Sequence, residues 1–499
     1  MVTVGRDPDR RLYHFEPLDE SGIFLGLGVI QCALLGGGLV GAAVALTRGV
    51  VAPLAALPAA LGAGATFARV GGRAVWEWVP LAFSWGWMRL GRGPRWMARL
   101  PLVSAEPSDA PLPPCLAGLS ILEVPWRGRR SVGAVRDGAA QTLTAVLSVT
   151  GPQFVLASRA DQERLVSGWG DVLNHYALER GVVTHLAWSD LARPSGMAEH
   201  HAWLAAHAHG ELDASAMESY AELLSGASAC ATAHEVLVSI TVARDRLGRR
   251  RASATGDPET ALARALATSL DALVRGLSAA GLAPGDPLSV GALRRVLRSR
   301  IEPSAAAPRI VGGRLVERLG LVTSASCGPL AVDTAWGHVA TDGAFHRTYW
   351  IASWPRLAVA PSWLEPFLSA AGVTRTMTVV LRPVGAHQSR RRIERDLVKL
   401  ESDAAAKEDK GRRVDARHRR ATRALVEREE ELVAGYAEVA YVGLVTVSAV
   451  SEEELDEHAE IVEQLAREAG MDLRRLDGRQ DLAWAAALPL CLAPRTLLS

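Results

Sequence analysis

Lysine is almost missing from this chain: of its 55 basic side chains only Lys399, Lys407 and Lys410 are lysine, and the rest are arginine. Phosphate-binding motors need the pattern G-x-x-x-x-G-K-[ST], whose amides and lysine cradle the phosphates. All three lysines fall in one charged helical stretch, and nothing matches that pattern, so ATP hydrolysis by this route is excluded. No G-x-S-x-G elbow occurs either, which removes the common serine-hydrolase arrangement. The five cysteines, Cys32, Cys115, Cys230, Cys327 and Cys491, are scattered and form no C-x-x-C. Neither a disulfide scaffold nor a zinc ribbon follows, and a reducing compartment fits. Net charge is +1 over 499 residues, so any nucleic-acid contact must be local. Asparagine is confined to Asn174, a skew expected of a GC-rich bacterial genome.

What the chain does have is two long apolar segments near its start, Gly22 to Leu46 and Val50 to Ala68, separated by Thr47, Arg48 and Gly49. Each reaches or nears the roughly 20 apolar residues that span a bilayer as a helix. The expectation is a transmembrane helical hairpin over 22–68, following a cytoplasmic segment 1–21. Arginines crowd both flanks, which places both termini in the cytoplasm of a bacterial inner membrane. Gly22, Gly26, Gly37 and Gly41 are expected to let the two helices pack closely. Pro53 and Pro58 should kink the second helix or shift its start. Residues 69–100 then carry Trp76, Trp78, Trp85, Trp87 and Trp96 among Arg73, Arg89, Arg92 and Arg95. Indoles and arginines favour the headgroup layer, so this segment is expected to lie on the lipid surface.

Residues 101–114, rich in proline and small polar side chains, read as a linker to an α+β region over 115–499. Strand patterns occupy 116–124, 131–135, 142–149, 182–188, 234–243, 375–383, 439–449 and 471–476. A hairpin is expected at 328–340 and 344–352 across the turn Thr341-Asp342-Gly343. Helical spacing covers 158–180, 197–225, 259–280, 293–300, 363–371 and 480–488. Ser451 with Glu454 makes a capping box for a helix ending near Gly470. This alternation suggests an α+β fold of ferredoxin-like β-α-β units. Between Ala386 and Gly435 the chain turns strongly charged and helical, with a break near Asp409 to Gly411. That stretch reads as two antiparallel helices or one long arm with a flexible tip.

The best metal-ligand cluster is Glu199, His200, His201, His207 and His209. On a helix His200 and His207 would lie about 10 Å apart along the axis, too far to share one zinc ion. No metal or other cofactor is therefore expected.

Several stretches carry a resemblance. Thr376 to Pro383 (TMTVVLRP), the charged helices after it, Ala440 to Val450, the helix opening at Ser451 and the ending Gln480 to Leu490 (QDLAWAAALPL) are similar to the amino-terminal, non-motor domain of conjugation and type IV secretion ATPases. Gly22 to Arg99 resembles the two-span PrgI-type membrane proteins of such systems, with Trp76-Glu-Trp-Val-Pro80 at the membrane exit. The combination suggests an actinobacterial integral membrane protein family encoded with type IV secretion-like machinery. The resemblance implies a structural inner-membrane component, not an enzyme, that docks a separate motor ATPase, the motor itself being absent here. Its implied partners are the lipid bilayer, that ATPase, other channel components and further copies in a ring. Competing readings are a membrane-anchored metal-dependent hydrolase using the histidine cluster and a membrane-tethered scaffold unrelated to secretion. Whether the cargo is DNA or protein is open.

Overall fold

A computed structural model describes residues 29–49, 51–70, 73–91, 93, 95–98, 112–152, 154–177, 181–194, 204, 207, 213–228, 231–247, 257–303, 309–311, 314–316, 328–355, 359–409, 416–433 and 438–492.

The apolar start forms α1 (Val29–Thr47), α2 (Ala52–Ala55) and α3 (Leu57–Phe67). Among the described residues no helix is long and apolar enough to cross a membrane. The expected transmembrane hairpin is overturned, and with it the inner-membrane location and the cytoplasmic placement of both termini. The second segment shows why most clearly. It breaks between Ala55 and Leu57, with Pro58 at the head of α3, and 11 residues cover only about 16 Å of the ~30 Å hydrocarbon layer. The first holds Gln31 and three consecutive glycines, Gly36 to Gly38.

α1 and α3 nevertheless pack closely. A Cβ on Gly38 would meet the Pro58 carbonyl at 2.7 Å, and one on Gly62 the Leu34 carbonyl at 2.7 Å. Only glycine permits that approach. Gly41 abuts Pro58, but nothing lies within 4 Å of Gly37. Gly22 and Gly26 lie outside the described residues. A two-residue hairpin, β1 (Arg69–Val70) with β2 (Arg73–Ala74), leads to α4 (Val75–Gly91) and β3 (Arg95–Met97).

The rest is a mixed α/β fold on a 13-stranded antiparallel sheet. Its first half runs β4 (Leu119–Trp126), β5 (Arg130–Asp137), β6 (Thr142–Thr150), α5 (Arg159–Tyr176), β7 (Val183–Pro194), α6 (Ala214–Ser228), β8 (Thr232–Ala243), α7 (Pro258–Ala279), β9 (Ala283–Pro287) and α8 (Val290–Ile301). A separate small hairpin, β10 (Arg309–Val311) and β11 (Arg314–Val316), follows. The second half runs β12 (Ala331–Thr334), β13 (Val339–Thr341), β14 (Ala344–Ser353), α9 (Glu365–Leu368), β15 (Thr374–Pro383), α10 (Ala386–Asp409), α11 (Ala416–Val433), β16 (Val439–Ala449), α12 (Glu452–Glu468), β17 (Asp472–Arg475) and α13 (Gln480–Ala487).

These halves repeat one another. β6 pairs with β5 through its first residues and with β9 through its last, and β14 does the same with β13 and β17. Each half therefore contains a β-α-β-β-α-β unit, ordered β9-β6-β8-β7 in one and β17-β14-β16-β15 in the other. β7 and β15 join them edge to edge, from Arg375↔Ala192 to Leu381↔Leu186. Even a buried hydroxyl contact recurs: Thr144 meets Thr241 at 2.8 Å across β6 and β8, and Thr348 meets Thr446 at 2.9 Å across β14 and β16.

One sheet face packs α7 and α12. Leu262, Leu266, Leu270, Leu273 and Leu277 form a buried stripe along α7, each contributing about 1.5–3 kcal/mol by leaving water. The other face is covered by α8, α13 and the strap Leu488–Leu492. There Val135, Val146 and Leu237 of the first half share a cluster with Val332 and Val339 of the second.

α10 and α11 pack against each other as an antiparallel hairpin inserted between β15 and β16. Charge pattern explains the pairing. Arg390, Arg391, Arg392 and Arg395 open α10 and Glu427, Glu429 and Glu430 close α11, while Glu401 and Asp409 stand toward the end of α10 and Arg419 and Arg423 toward the start of α11. Opposite charges become neighbours only when the helices run in opposite directions.

Candidate docking surfaces

The helical hairpin is fastened where it leaves the sheet. Glu438, just before β16, accepts from Arg392 Nη1 at 3.3 Å and from Arg428 Nη2, so one carboxylate ties both helices. Its backbone carbonyl accepts from Val384 N–H at 2.9 Å. That carboxylate is nearly buried, which strengthens a charge-assisted pair relative to an exposed one. Beyond this clamp Val398, Val426 and Val433 stay exposed on the hairpin.

The tryptophan and arginine segment turns inward rather than away from the protein. Trp78 stacks on Trp336, in the β12–β13 turn, at 6.0 Å between ring centroids, and Trp85 meets the same ring edge-on at 5.2 Å. Arg89 sits 4.4 Å above the Trp85 ring. Trp336 is seated over Gly478, where φ is +71° and a Cβ would come within 3.1 Å of the indole. Trp96 lies opposite Val332 in the β3–β12 pair, and Arg95 binds Asp333 at 2.6 Å. Trp76 is half-buried, and Arg73 lies on β2. Trp87 remains exposed, stacked with Phe83 at 6.2 Å. Arg92 lies outside the described residues. The expected headgroup role is thus replaced, for Trp78, Trp85, Trp96 and Arg95, by contacts to the second half of the sheet.

Polar side chains buried beneath α13 lock the two halves together. His346 on β14 is fully buried. Its Nε2 lies 3.0 Å from the Ile301 carbonyl at the end of α8, and its Nδ1 lies 2.8 Å from Ser448 Oγ. A carbonyl can only accept, so Nε2 carries a proton; with burial keeping the ring neutral, Nδ1 is left to accept from Ser448. Burial pushes its pKa from 6.5 down to about 4. Gln480, at the head of α13, clamps one residue of the same strand: Thr348 N–H donates to its Oε1 at 2.8 Å, and its Nε2 donates to the Thr348 carbonyl at 3.2 Å. Gln480→Leu therefore strands a buried backbone N–H. We expect a loss of about 2–3 kcal/mol, read from the urea midpoint of the full chain.

Two further charged groups support the β7–β8 end of the sheet. Arg375 is buried and donates to the carbonyls of Leu368, Ala370 and Val373, closing the turn after α9, with Asp190 close by. Asp190 in turn faces His234 at 3.0 Å. On the opposite face Arg300 lies 2.9 Å from Glu235, and burial brings its guanidinium down to about 10. Burial likewise pushes the Cys115 and Cys491 thiols up to about 12, the reverse of what a reactive thiolate requires.

No family model matches this chain, and no curated protein matches it. Of the histidine cluster, Glu199, His200, His201 and His209 lie outside the described residues, which include His207. Among the described residues no group of three or more metal-ligating side chains converges.

Sequence reasoning missed Glu438, Trp336 and His346. Trp336 and His346 carry no local periodic signal, because the partners named above lie 45 to 258 positions away in the chain. Glu438 was findable: a lone acid immediately preceding a strand and following a charged helix is placed to pair with the helix's arginines.

Proposed function

We propose that this chain is a docking component of a conjugation or type IV secretion-like apparatus, presenting the α10–α11 hairpin to a separately encoded motor ATPase. The observation that carries this reading is the clamp of Glu438 on Arg392 and Arg428, which turns a charged insertion into a fixed projection with exposed valines. A rigid element loses less conformational freedom on binding than a floppy one. The duplicated sheet supports the reading too, since it gives the hairpin a broad, immobile base. Resemblance of 376–383, 440–450 and 480–490 to the non-motor domain of the secretion ATPases supplies the class of partner. Other channel components and further copies of the chain would complete the assembly.

The test is affinity purification of the tagged full chain from its native host after cross-linking, beside the variant V398E/V426E. Recovery of a motor ATPase with the wild type, reduced at least tenfold in the variant, about 1.4 kcal/mol of binding, supports the proposal. No ATPase with the wild type, or equal recovery with both, overturns it. Both substituted positions are exposed, so far-UV circular dichroism should be unchanged.

A further inference from the structure

Fourteen of the 23 large apolar side chains left exposed among the described residues fall between Leu39 and Met97. Leu39, Val40 and Leu61 lie on the paired α1 and α3, and Phe83, Trp87 and Leu90 on α4, which touches α3. The group amounts to on the order of 1,500 Å² of apolar surface, against about 800 Å² per partner in a standard interface. Monomers rarely expose a contiguous apolar patch beyond a few hundred Å². Such a surface is covered in the working protein.

Its chemistry restricts what can cover it. From Val29 to Phe67 the only charged residue is Arg48, so a partner needs no complementary charge and must itself be apolar over a comparable area. Among the described residues one surface meets that requirement, and it is this one. Self-complementary burial of the same patch on both sides is what a two-fold contact provides. Gly36 and Gly37, with nothing within 4 Å of their absent Cβ atoms, leave room on the outer side of α1 for a second helix to approach. The layer is also held in place, through the clasp of Trp78 and Trp85 on Trp336.

We propose that the α1–α4 layer is the contact between copies of this chain. This stands apart from the motor-docking role, which uses α10 and α11. The full chain, in buffer without detergent, is examined by sedimentation velocity at micromolar concentration, beside the variant L39E/L61E/W87E. Dimers or larger assemblies for the wild type and monomer for the variant are expected. A second arm uses Gly37→Cys in a Cys32→Ser background, where the open space over Gly37 leaves folding unburdened; mild oxidation should give a disulfide between two copies. A monomeric wild type, or a variant that associates as before, overturns the proposal. So does a wild type that stays single and only takes up added detergent micelles, which would assign the surface to an amphiphile.

Discussion

Trp484→Ala is expected to cost the full chain about 3–5 kcal/mol, the usual range for removing a buried tryptophan. Trp484 is 2% exposed on α13 and stacks on the His346 ring at 5.8 Å. Its cluster takes residues from α8 and from strands of both halves, including Leu293, Leu297, Val146 and Val339. Truncation would therefore open a void that neither half can close alone, because each wall belongs to a different unit and the sheet spacing between them is fixed by hydrogen bonds. Urea denaturation of the full chain should show the midpoint falling without loss of secondary structure before the transition. Trp484→Phe, which keeps a ring against His346, should lose clearly less. A change below about 1 kcal/mol for the alanine variant would mean that the two halves are not held by this cluster.

Element type was legible wherever one face of an element meets the core. The alternation of Arg375 to Pro383 and of Val439 to Ala449 marks strands, and the leucines of 262–277 mark a helix, because burial on one side imprints its period on the sequence. Ser451 with Glu454 was legible as a cap and the structure has it, Glu454 N–H donating to Ser451 Oγ at 3.1 Å. Pairing order was not legible. That β7 lies against β15 depends on Leu186 and Leu381 meeting across almost 200 residues, and nothing local encodes such a distance. The apolar start was misread for a related reason: hydropathy counts residues, while Pro53 and Pro58 decide how long a helix those residues make. The Trp and Arg segment was likewise read by residue preference, when Trp336, a residue more than 250 positions later, sets where two of its indoles go. Among candidate site residues, chemistry was visible only as residue type; convergence needed the fold.

Acid should weaken the fold through His346 by ~3 kcal/mol, the free-energy equivalent of lowering its pKa from 6.5 to about 4. The sign follows from proton counting. Between pH 6.5 and about 4 the unfolded chain protonates this ring and the folded chain does not, because burial penalises the imidazolium by more than the Ile301 carbonyl, which accepts from Nε2 and favours the charged form, gives back. The unfolded state therefore binds the extra proton, and stability drops as pH falls through that window; above 6.5 the ring contributes no pH dependence. Asp481, on α13 nearby in sequence to Trp484, works in the opposite direction. Burial raises its carboxyl above 3.8, so the folded state takes up a proton first and gains stability on acidification. The two are separated by comparing wild type with His346→Gln, which keeps a donor and an acceptor but has no proton to gain. Unfolding free energies from urea titrations between pH 7 and pH 4 should diverge in slope, the wild type falling ~3 kcal/mol further than the variant. Asp481 is common to both chains and cancels in the difference. Parallel slopes would show that the ring is protonated in the folded state, and then burial between the two halves could not be holding it neutral.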